Sequence, residues 1–202
     1  LSEAGIQLAT LVCNHRFIHD FERWRSRQRS PVSVRLIDNG VASADQRHGS
    51  VGDLNLALET LDLRDDFWVL HGDNFFTFSL RPAMHAFQQR GNTLVIYDVV
   101  SMERARRAGQ VACNASGRII GFAEKPMHPK STWVSVGIYA FRADILSHVQ
   151  RYVATGRPTD RSGDFLEWLH TQTPLYAFHV PPEQGAWLDI GTPDDYRRAK
   201  AI

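Results

Sequence analysis

The stretch Phe67-Trp68-Val69-Leu70-His71-Gly72-Asp73-Asn74 carries the clearest information about the fold. A short apolar run, typical of a buried strand, ends abruptly in glycine, carboxylate and amide. Ligands of open α/β sheets bind at the carboxyl ends of the strands, so Asp73 would be well placed to hold a metal or a polar substrate. A simple turn after the strand explains the same residues, because Gly, Asp and Asn are common in turns.

Strand patterns and helix patterns alternate along the rest of the chain. The strands are predicted at residues 8–13, 32–37, 67–70, 93–99, 110–114, 118–124, 133–141, 175–180 and 186–190. The helices are predicted at residues 15–29, 51–61, 81–90, 143–152, 164–171 and 192–201. This alternation predicts an α/β protein with a mostly parallel mixed sheet and helices on both faces, with a hairpin turn at residues 115–117. No repeat or linker divides the chain, so we predict a single domain over residues 1–202.

Composition and charge exclude several classes of partner. The chain has 23 Lys and Arg against 22 Asp and Glu, so its net charge of +1 gives no bulk field for nucleic acid or an anionic membrane. Its apolar stretches are far shorter than the roughly 20 residues of a membrane-spanning helix. Cys13 and Cys113 have no CxxC spacing, which favours buried thiols in a reducing compartment and predicts a cytoplasmic protein. The oligomeric state is left open, and a homo-oligomer is allowed.

A second carboxylate accompanies Asp73 in a similar sequence context. Asp189, in Trp187-Leu188-Asp189-Ile190-Gly191, also ends a short apolar run beside a glycine. If the two strands are neighbours, the two carboxylates could share one Mg²⁺, which prefers a few oxygen ligands together with substrate phosphates. The alternative is that Asp189 interacts with the free N–H groups of the following helix. Histidines such as His71 have no metal-ligand spacing, so we do not expect a zinc site.

The tripeptide Glu124-Lys125-Pro126 closes another predicted strand. A Glu that accepts hydrogen bonds from sugar hydroxyls, beside a Lys that holds a phosphate, would make a sugar-phosphate clamp. The alternative is an ion pair on a surface loop, because Glu and Lys are usually exposed.

Two glycines lie where a loop passes into a predicted helix. In the run Arg47–Leu54, Gly49 and Gly52 would let a flat ring or a phosphate approach the backbone, and the N-terminus of a helix favours anions. The alternative is an ordinary capped helix start, with Ser50 as the N-cap and Asp53 as a capping-box-like acid.

In this order, the motifs resemble those of the sugar-1-phosphate nucleotidyltransferases, which include glucose-1-phosphate thymidylyltransferases and mannose-1-phosphate guanylyltransferases. The resemblance rests on Asn39-Gly40 with Arg47–Leu54, on Leu70–Asn74, Gly121–Pro126, Val136–Phe141 and Ala186–Pro193. It implies a Rossmann-like nucleotidyltransferase fold. It also implies the reaction of an NTP with a sugar 1-phosphate to give an NDP-sugar and pyrophosphate.

The resemblance also implies roles for individual residues. Asp73 and Asp189 correspond to Mg²⁺ ligands, and Lys125 corresponds to a contact to the sugar phosphate, which makes these three the implied catalytic residues. The positions that the resemblance assigns to substrate binding are Gly49, Gly52, Asn74, Glu124 and Gly137. Among them, Glu124 would contact sugar hydroxyls, Gly137 would let the sugar approach the backbone, and the base would lie against the Gly49–Gly52 region.

One family motif has no counterpart in this sequence. The family opens with a strand and a G-G-x-G-T-R loop that holds the triphosphate, whereas these first residues resemble the helix and strand that come after that loop. Either that part of the family pattern is missing from this chain, or the protein is a shortened, inactive relative. We therefore expect little turnover from the chain alone. A non-catalytic nucleotide- or sugar-binding regulatory relative is the alternative function, and a different phosphorylated acceptor is a further one. The sequence does not reveal the base or the sugar.

Overall fold

The computed structural model describes every residue from Leu1 to Ile202. The chain forms two compact units, the first from Leu1–Asp65 with Ala143–Phe165 and the second from Asp66–Arg142 with Leu166–Ile202. The single domain predicted over residues 1–202 concerns both units together and stays a prediction.

Helices and strands alternate as the sequence patterns indicate. The helices are α1 (Ile18–Arg27), α2 (Gly49–Thr60), α3 (Arg81–Arg90), α4 (Met102–Ala105), α5 (Ile145–Ala154), α6 (Ser162–Leu169) and α7 (Pro193–Ala199). The strands are β1 (Leu8–Cys13), β2 (Ser33–Asp38), β3 (Phe67–Leu70), β4 (Asn74–Phe76), β5 (Thr93–Asp98), β6 (Gln110–Cys113), β7 (Ile119–Ala123), β8 (Trp133–Phe141), β9 (Tyr176–Val180) and β10 (Trp187–Asp189). None of the helices has the length and apolar character needed to cross a bilayer.

The first unit is built on a parallel pair of strands. β1 and β2 run side by side from Leu8 opposite Ser33 to Cys13 opposite Asp38. Helix α1 packs against β2, and α2 packs against β1 and α5. Because the two strands are parallel, their carboxyl ends meet at the same edge, next to the loop that leads into α2.

The second unit contains a six-stranded sheet in the order β7-β6-β8-β5-β9, in which β3 also pairs with β8. Residues Thr93–Tyr97 of β5 and Val134–Phe141 of β8 are buried without interruption. Both faces of the sheet are therefore covered at these central strands, and α3 packs against β5, β8 and β9. Strands β4 and β10 form a separate antiparallel pair.

The α/β class and the mixed sheet are confirmed, but the prediction of mostly parallel strands is wrong. Only the pairs β1–β2 and β5–β9 are parallel, whereas β8 runs antiparallel to β3, β5 and β6. The reason for the error is the composition of β8. A strand buried on both faces is a continuous apolar run whichever way its neighbours point, so its sequence does not reveal its direction.

The predicted hairpin joins β6 and β7 as expected. The side chain of Asn114 accepts hydrogen bonds from the backbone N–H groups of Ser116 and Arg118, at 3.1 Å and 3.0 Å. Gly117 has a φ of +78°, a conformation that favours glycine. The turn residues thus fix the hairpin locally, which is why the sequence alone could locate it.

Candidate functional site

Asp73 lies in the turn that follows β3. The last strand residue, Leu70, is opposite Ile138 of β8, and His71 then donates its N–H to the carbonyl of Gly137 at 2.9 Å. The chain reverses at this point, because Asn74 N–H donates to His71 O at 3.3 Å. Asp73 therefore lies in a turn, as the simpler interpretation predicts, and this turn directly follows the end of β3.

The pairing of β4 with β10 brings Asp189 next to Asp73. Asn74 is directly opposite Asp189 in this antiparallel pair. In addition, the N–H of Ile190 donates to the carbonyl of Asp73 at 2.8 Å. The two strands are neighbours, as the shared-site hypothesis requires, although 116 positions separate the two carboxylates along the chain.

Asn74 links the two strand ends through its side chain. Its Nδ2 donates to Asp73 Oδ1 at 2.9 Å, and its Oδ1 accepts from Trp187 Nε1 at 2.6 Å. The Trp187 side chain is buried and packs at a tilt against Tyr97, with ring centroids 6.0 Å apart. A rigid aromatic residue thus holds the Asn74 amide, and the amide in turn orients the Asp73 carboxylate.

The Asp189 carboxyl lies in an unfavourable electrostatic environment. Desolvation raises its pKa first, the charge of Asp73 raises it further, Asp195 adds a smaller increase, and Lys125 opposes them. No hydrogen bond supports this carboxylate. It does not cap the following helix either, because Thr192 is the N-cap of α7 and its Oγ1 accepts from Asp195 N–H at 3.2 Å. A nearby cation would relieve the repulsion between the two carboxylates.

Glu124 and Lys125 directly follow β7. Lys125 Nζ is 4.0 Å from Glu124 Oε1, and the side chains are 51% and 11% exposed respectively. The two side chains thus form the ion pair that the alternative predicts, although the Glu124 side chain is largely shielded from water. Lys125 adopts a φ of +46°, and its charge reaches Asp189. The charge of Lys125 thus acts on Asp189 and opposes the rise of its pKa.

Gln110 anchors the loop that follows Lys125. Its side chain is buried, with Nε2 donating to Ser131 O at 2.6 Å and Oε1 accepting from Lys130 N–H at 2.9 Å. Both ends of one amide thus hold the loop to the start of β6. The sequence patterns did not single out this residue, and its only signal is a polar side chain at the start of a short apolar strand.

Gly137 has a φ of +69°, and its missing side chain leaves room for two neighbours. A Cβ at this position would lie 2.8 Å from His71 Cγ and 2.9 Å from Asn74 Nδ2. Burial lowers the pKa of the His71 ring, and the charge of Asp73 opposes this shift. His71 had no predicted role, yet it lies at the centre of this group.

Gly49 and Gly52 lie in the first unit, and Gly49 packs against the backbone of Thr159 and Asp160. Gly49 has a φ of +75°, and a Cβ there would lie 2.3 Å from the carbonyl oxygen of Thr159. The same carbonyl accepts a hydrogen bond from Val51 N–H at 2.9 Å. At Gly52 a Cβ would instead lie 2.9 Å from the Cβ of His48. The sequence predicts that a ring or a phosphate comes close to the backbone at Gly49. In the structure, the loop that contains Thr159 occupies this position instead.

The predicted capped start of α2 is wrong. The helix begins at Gly49 without a side-chain cap, and both the N–H and the Oγ of Ser50 donate to Asp160 O at 3.2 Å. Asp53 Oδ1 instead accepts from Nδ2 of the buried Asn39 at 2.9 Å. The same Nδ2 also donates to Asn14 Oδ1 at 3.0 Å, so Asn39 joins the carboxyl ends of β1 and β2 to α2.

The His, Cys, Asp and Glu side chains that could bind a metal ion occur at most in pairs. The structure contains no cluster of three or more His, Cys, Asp or Glu side chains that could hold a metal ion. At the Asp73–Asp189 pair, the protein can therefore offer two carboxylates, and a bound ion would need its remaining ligands from substrate or water. Mg²⁺ accepts such a ligand set, whereas a structural zinc site would not.

The family model described as "Nucleotidyl transferase" matches residues 1–202. The chain belongs to the nucleotidyl transferase family. The resemblance to this family inferred from the sequence motifs is thus confirmed.

Individual relatives agree with this family. The chain is 33% identical over 150 residues to the mannose-1-phosphate guanylyltransferase catalytic subunit beta of Danio rerio, a match that covers 73% of this chain and 39% of that protein. It is 31% identical over 156 residues to the UTP–glucose-1-phosphate uridylyltransferase of Synechocystis sp., covering 75% of this chain and 38% of the relative. The chain thus spans about two fifths of the length of these relatives.

A solved structure confirms the predicted Rossmann-like nucleotidyltransferase fold. The crystal structure assigned as a glucose-1-phosphate thymidylyltransferase from Bacillus anthracis, in complex with a sucrose, superposes with a TM-score of 0.80 at 24% sequence identity. The match covers 100% of this chain and 78% of that chain. At this level of identity, the similarity establishes the fold.

Proposed function

We propose that the protein acts in transfer of a nucleotidyl group from an NTP to a sugar 1-phosphate, giving an NDP-sugar and pyrophosphate. The observation that supports this proposal is the pairing of β4 with β10, which makes the chain around Asp73 and Asp189 adjacent, with Lys125 near enough for its charge to lower the pKa of Asp189. In this reaction the sugar phosphate oxygen attacks the α-phosphorus and the bond to the β-phosphate breaks. Positioning and charge neutralisation supply most of the catalysis in such a step.

We propose Mg²⁺ as the cofactor, with Asp73 and Asp189 as its protein ligands. Two features of the site support the fit: the adjacency of the chain at Asp73 and Asp189, through strand pairing and the hydrogen bond from Ile190 to Asp73, and the pKa of Asp189, which desolvation and the charge of Asp73 raise. When bound, Mg²⁺ would neutralise negative charge on the substrate phosphates. Asn74 Nδ2 holds one oxygen of Asp73 and thereby fixes the direction in which this carboxylate points.

The residues around β7 have a separate proposed task. Lys125 supplies a positive charge for the sugar phosphate, and its partly exposed side chain leaves the ammonium group accessible. The shielded Glu124 carboxylate is suited to accept hydrogen bonds from sugar hydroxyls, because such bonds are stronger where water is excluded. Gln110 holds the loop beyond them in place.

For the first unit we propose that the nucleotide base lies against the backbone near Gly49 and Gly52. Its support is the family resemblance of this run. We do not assign the N–H groups of Ser50 and Val51 to a phosphate, because they already donate to Asp160 and Thr159.

We also propose a cytoplasmic location. Cys13 and Cys113 are both free thiols. Burial raises the pKa of each thiol, which lowers its reactivity. Free thiols of this kind are typical of proteins from reducing compartments.

The metal proposal is tested by calorimetric titration of the chain with Mg²⁺ and Mg-NTP, and by repeating the titration with Asp189→Asn. We expect at least a tenfold loss of Mg²⁺ affinity in this variant, because one of two protein ligands loses its charge. Asp194→Asn is the matched control: it removes a nearby carboxylate that is exposed and pairs with Arg197, and it should change the affinity less than twofold. Equal Mg²⁺ affinity in wild type and Asp189→Asn would refute the metal site.

The reaction itself is tested by pyrophosphate release from each NTP with a panel of sugar 1-phosphates. The assay is run on this chain, for which little turnover is predicted, and on the longest reading frame that contains it. If neither protein releases pyrophosphate with any pair, the enzyme hypothesis fails. If binding of NTP or NDP-sugar persists without turnover, the non-catalytic regulatory alternative is favoured instead.

A further inference from the structure

We propose that helix α1 binds α1 of a second copy of this chain, in a two-fold symmetric dimer in which the two helices run antiparallel. The surface that makes this contact is the aromatic stripe, which consists of Phe17, Phe21 and Trp24. The proposal does not depend on the proposed function, because none of these residues belongs to the candidate site.

The rest of the chain leaves the aromatic stripe largely uncovered. Phe17 directly precedes α1, and Phe21 and Trp24 follow at intervals of four and three residues, which places the three rings along one side of the helix. Phe17 and Trp24 are 43% and 42% exposed, and no residue of α1 is buried. Helices of globular proteins normally bury such a stripe against a neighbouring element. The stripe thus has the character of a contact surface.

The shape of this surface suits a partner with aromatic side chains of its own. The three rings line an open hollow together with Asp20. Phe21 and Trp24 meet edge-on, with ring centroids 6.5 Å apart and an interplanar angle of 86°. Aromatic side chains are enriched at the core of protein interfaces, where rings fill the hollows of the partner. In a two-fold contact the same patch faces itself, so each copy offers rings to the hollow of the other.

The charges beside the stripe favour an antiparallel pairing. Asp20 and Arg27 are seven residues apart, about two helical turns, so they lie on the same side of α1. In an antiparallel pair, the start of one helix lies beside the end of the other, and each Asp20 faces Arg27 of the second copy. A parallel pair would instead bring the two Asp20 side chains to the same level, where like charges repel. Charged pairs at the edge of a helix contact set partner choice and orientation.

A second copy fits this surface better than an anionic membrane does. Five arginines lie within residues 16–29, a composition that would suit such a membrane. Asp20, however, lines the hollow beside the rings. Inserting the rings into a membrane would therefore bring its carboxylate against negative lipid head groups and the apolar boundary, which is unfavourable. In the helix pair, Arg27 of the second copy supplies the opposite charge.

The dimer is tested by analytical ultracentrifugation of the full chain over a range of concentrations. We expect a reversible dimer with a dissociation constant of about 10–100 µM, because one helix face is smaller than the roughly 800 Å² per partner of a standard interface. Trp24→Ala should weaken the dimer about tenfold or more, since tryptophans are frequent among the residues that dominate binding energy. Ile120→Ala is the control: it removes part of an apolar side chain that is 61% exposed on β7, and the dissociation constant should stay within twofold.

Charge reversals test the antiparallel pairing. Asp20→Arg alone and Arg27→Asp alone should each be monomeric, because each dimer would contain two like-charged pairs. An equimolar mixture of the two variants should form a heterodimer, since both pairs then join opposite charges. Glu22→Arg is the matched control: residues two apart point to different sides of a helix, so this equal change in charge should leave the dimer largely intact.

The proposal is overturned if the wild-type chain stays monomeric well above the expected dissociation constant, or if Trp24→Ala dimerises like wild type. It is also overturned if the mixture of the two charge variants remains monomeric, because the helices then do not pair in the antiparallel orientation. A monomer that binds phosphatidylserine vesicles would assign the stripe to a membrane surface and overturn the proposal too. Circular dichroism checks folding, and Phe17→Ser carries the aromatic test should Trp24→Ala not fold.

Discussion

Substitution of Gly137 by alanine tests the packing at the centre of the candidate site. Gly137 has a φ of +69°, and an added Cβ would lie 2.8 Å from His71 Cγ and 2.9 Å from Asn74 Nδ2. Real Cβ atoms do not approach other heavy atoms this closely, so both side chains would have to move. A shift of Asn74 would also disturb its hydrogen bonds to Asp73 and Trp187.

The magnitude follows from two separate contributions. Placing a non-glycine residue in the left-handed region costs about 1–2 kcal/mol. Forcing an extra methyl group into a packed site costs a further 1–3 kcal/mol, roughly. We therefore expect Gly137→Ala to lower the free energy of unfolding by about 2–5 kcal/mol.

The assay is urea denaturation followed by tryptophan fluorescence, with two control variants. Gly156 has the same φ of +69° but open space around its Cα, so Gly156→Ala isolates the backbone strain. Gly72 has neither a left-handed φ nor a neighbour within 4 Å, and Gly72→Ala should stay within about 0.5 kcal/mol of wild type. The expected order of destabilisation is Gly137→Ala, then Gly156→Ala, then Gly72→Ala.

Two results would contradict the crowding expected at Gly137. A Gly137→Ala protein as stable as the Gly156→Ala protein would show that His71 and Asn74 do not crowd the glycine. A Gly72→Ala protein as unstable as Gly137→Ala would show that the whole turn, rather than the packing at Gly137, is sensitive. Mg²⁺ titration of the same variants adds a functional measurement: affinity should fall for Gly137→Ala, because Asn74 orients Asp73, and should be unchanged for Gly156→Ala.

Two further predictions concern other parts of the chain. Gly49→Ala should be more destabilising than Gly40→Ala by about 1–3 kcal/mol in thermal or urea denaturation, because both have similar positive φ values but only Gly49 would collide with Thr159 O, at 2.3 Å; equal losses would contradict the close approach. Thr192→Ala should cost about 1 kcal/mol through loss of the N-cap of α7, whereas Thr192→Ser should cost little. The hydrogen bond from Thr192 is the main reason that the pKa of Asp195 is lowered, so NMR titration of Thr192→Ala should show that pKa rising towards its ordinary value. A lowered carboxyl pKa stabilises the fold above the unfolded-state pKa, and this contribution is lost as pH falls through the folded-state pKa. The alanine variant should therefore lose less stability on acidification, and an unchanged Asp195 pKa would contradict the cap.

Segments with a strong local pattern were predictable to the residue. The bounds of β1, β3, β8 and α3 match the sequence prediction at both ends. In each case the apolar run or the helical spacing is interrupted by turn residues, so local sequence determines where the element begins and ends. The N-cap at Thr192 was predictable for the same reason, since cap and capped N–H are three residues apart.

Elements that depend on distant partners were not predictable. β4 has only three residues, and it is a strand because it pairs with β10 more than a hundred residues later. The start of α2 was mispredicted, because Thr159 and Asp160 bind its first N–H groups. The direction of the strands around β8 could not be predicted from the sequence either, because a strand buried on both faces has the same apolar run in either orientation.

The α/β class, the family and the residue types of the candidate site can all be predicted from the amino-acid sequence: two carboxylates, a Glu-Lys pair and the glycines. The fold class, the family and these residue types are predictable because residue identity and local spacing determine them. Three relations become visible in the folded protein alone: Asp73 and Asp189 lie on adjacent chain segments, Gln110 anchors the loop beyond Lys125, and His71 fills the space at Gly137. Such relations join residues that are far apart in the chain. They arise when strands pair and buried polar groups find their hydrogen-bond partners, which no local pattern encodes.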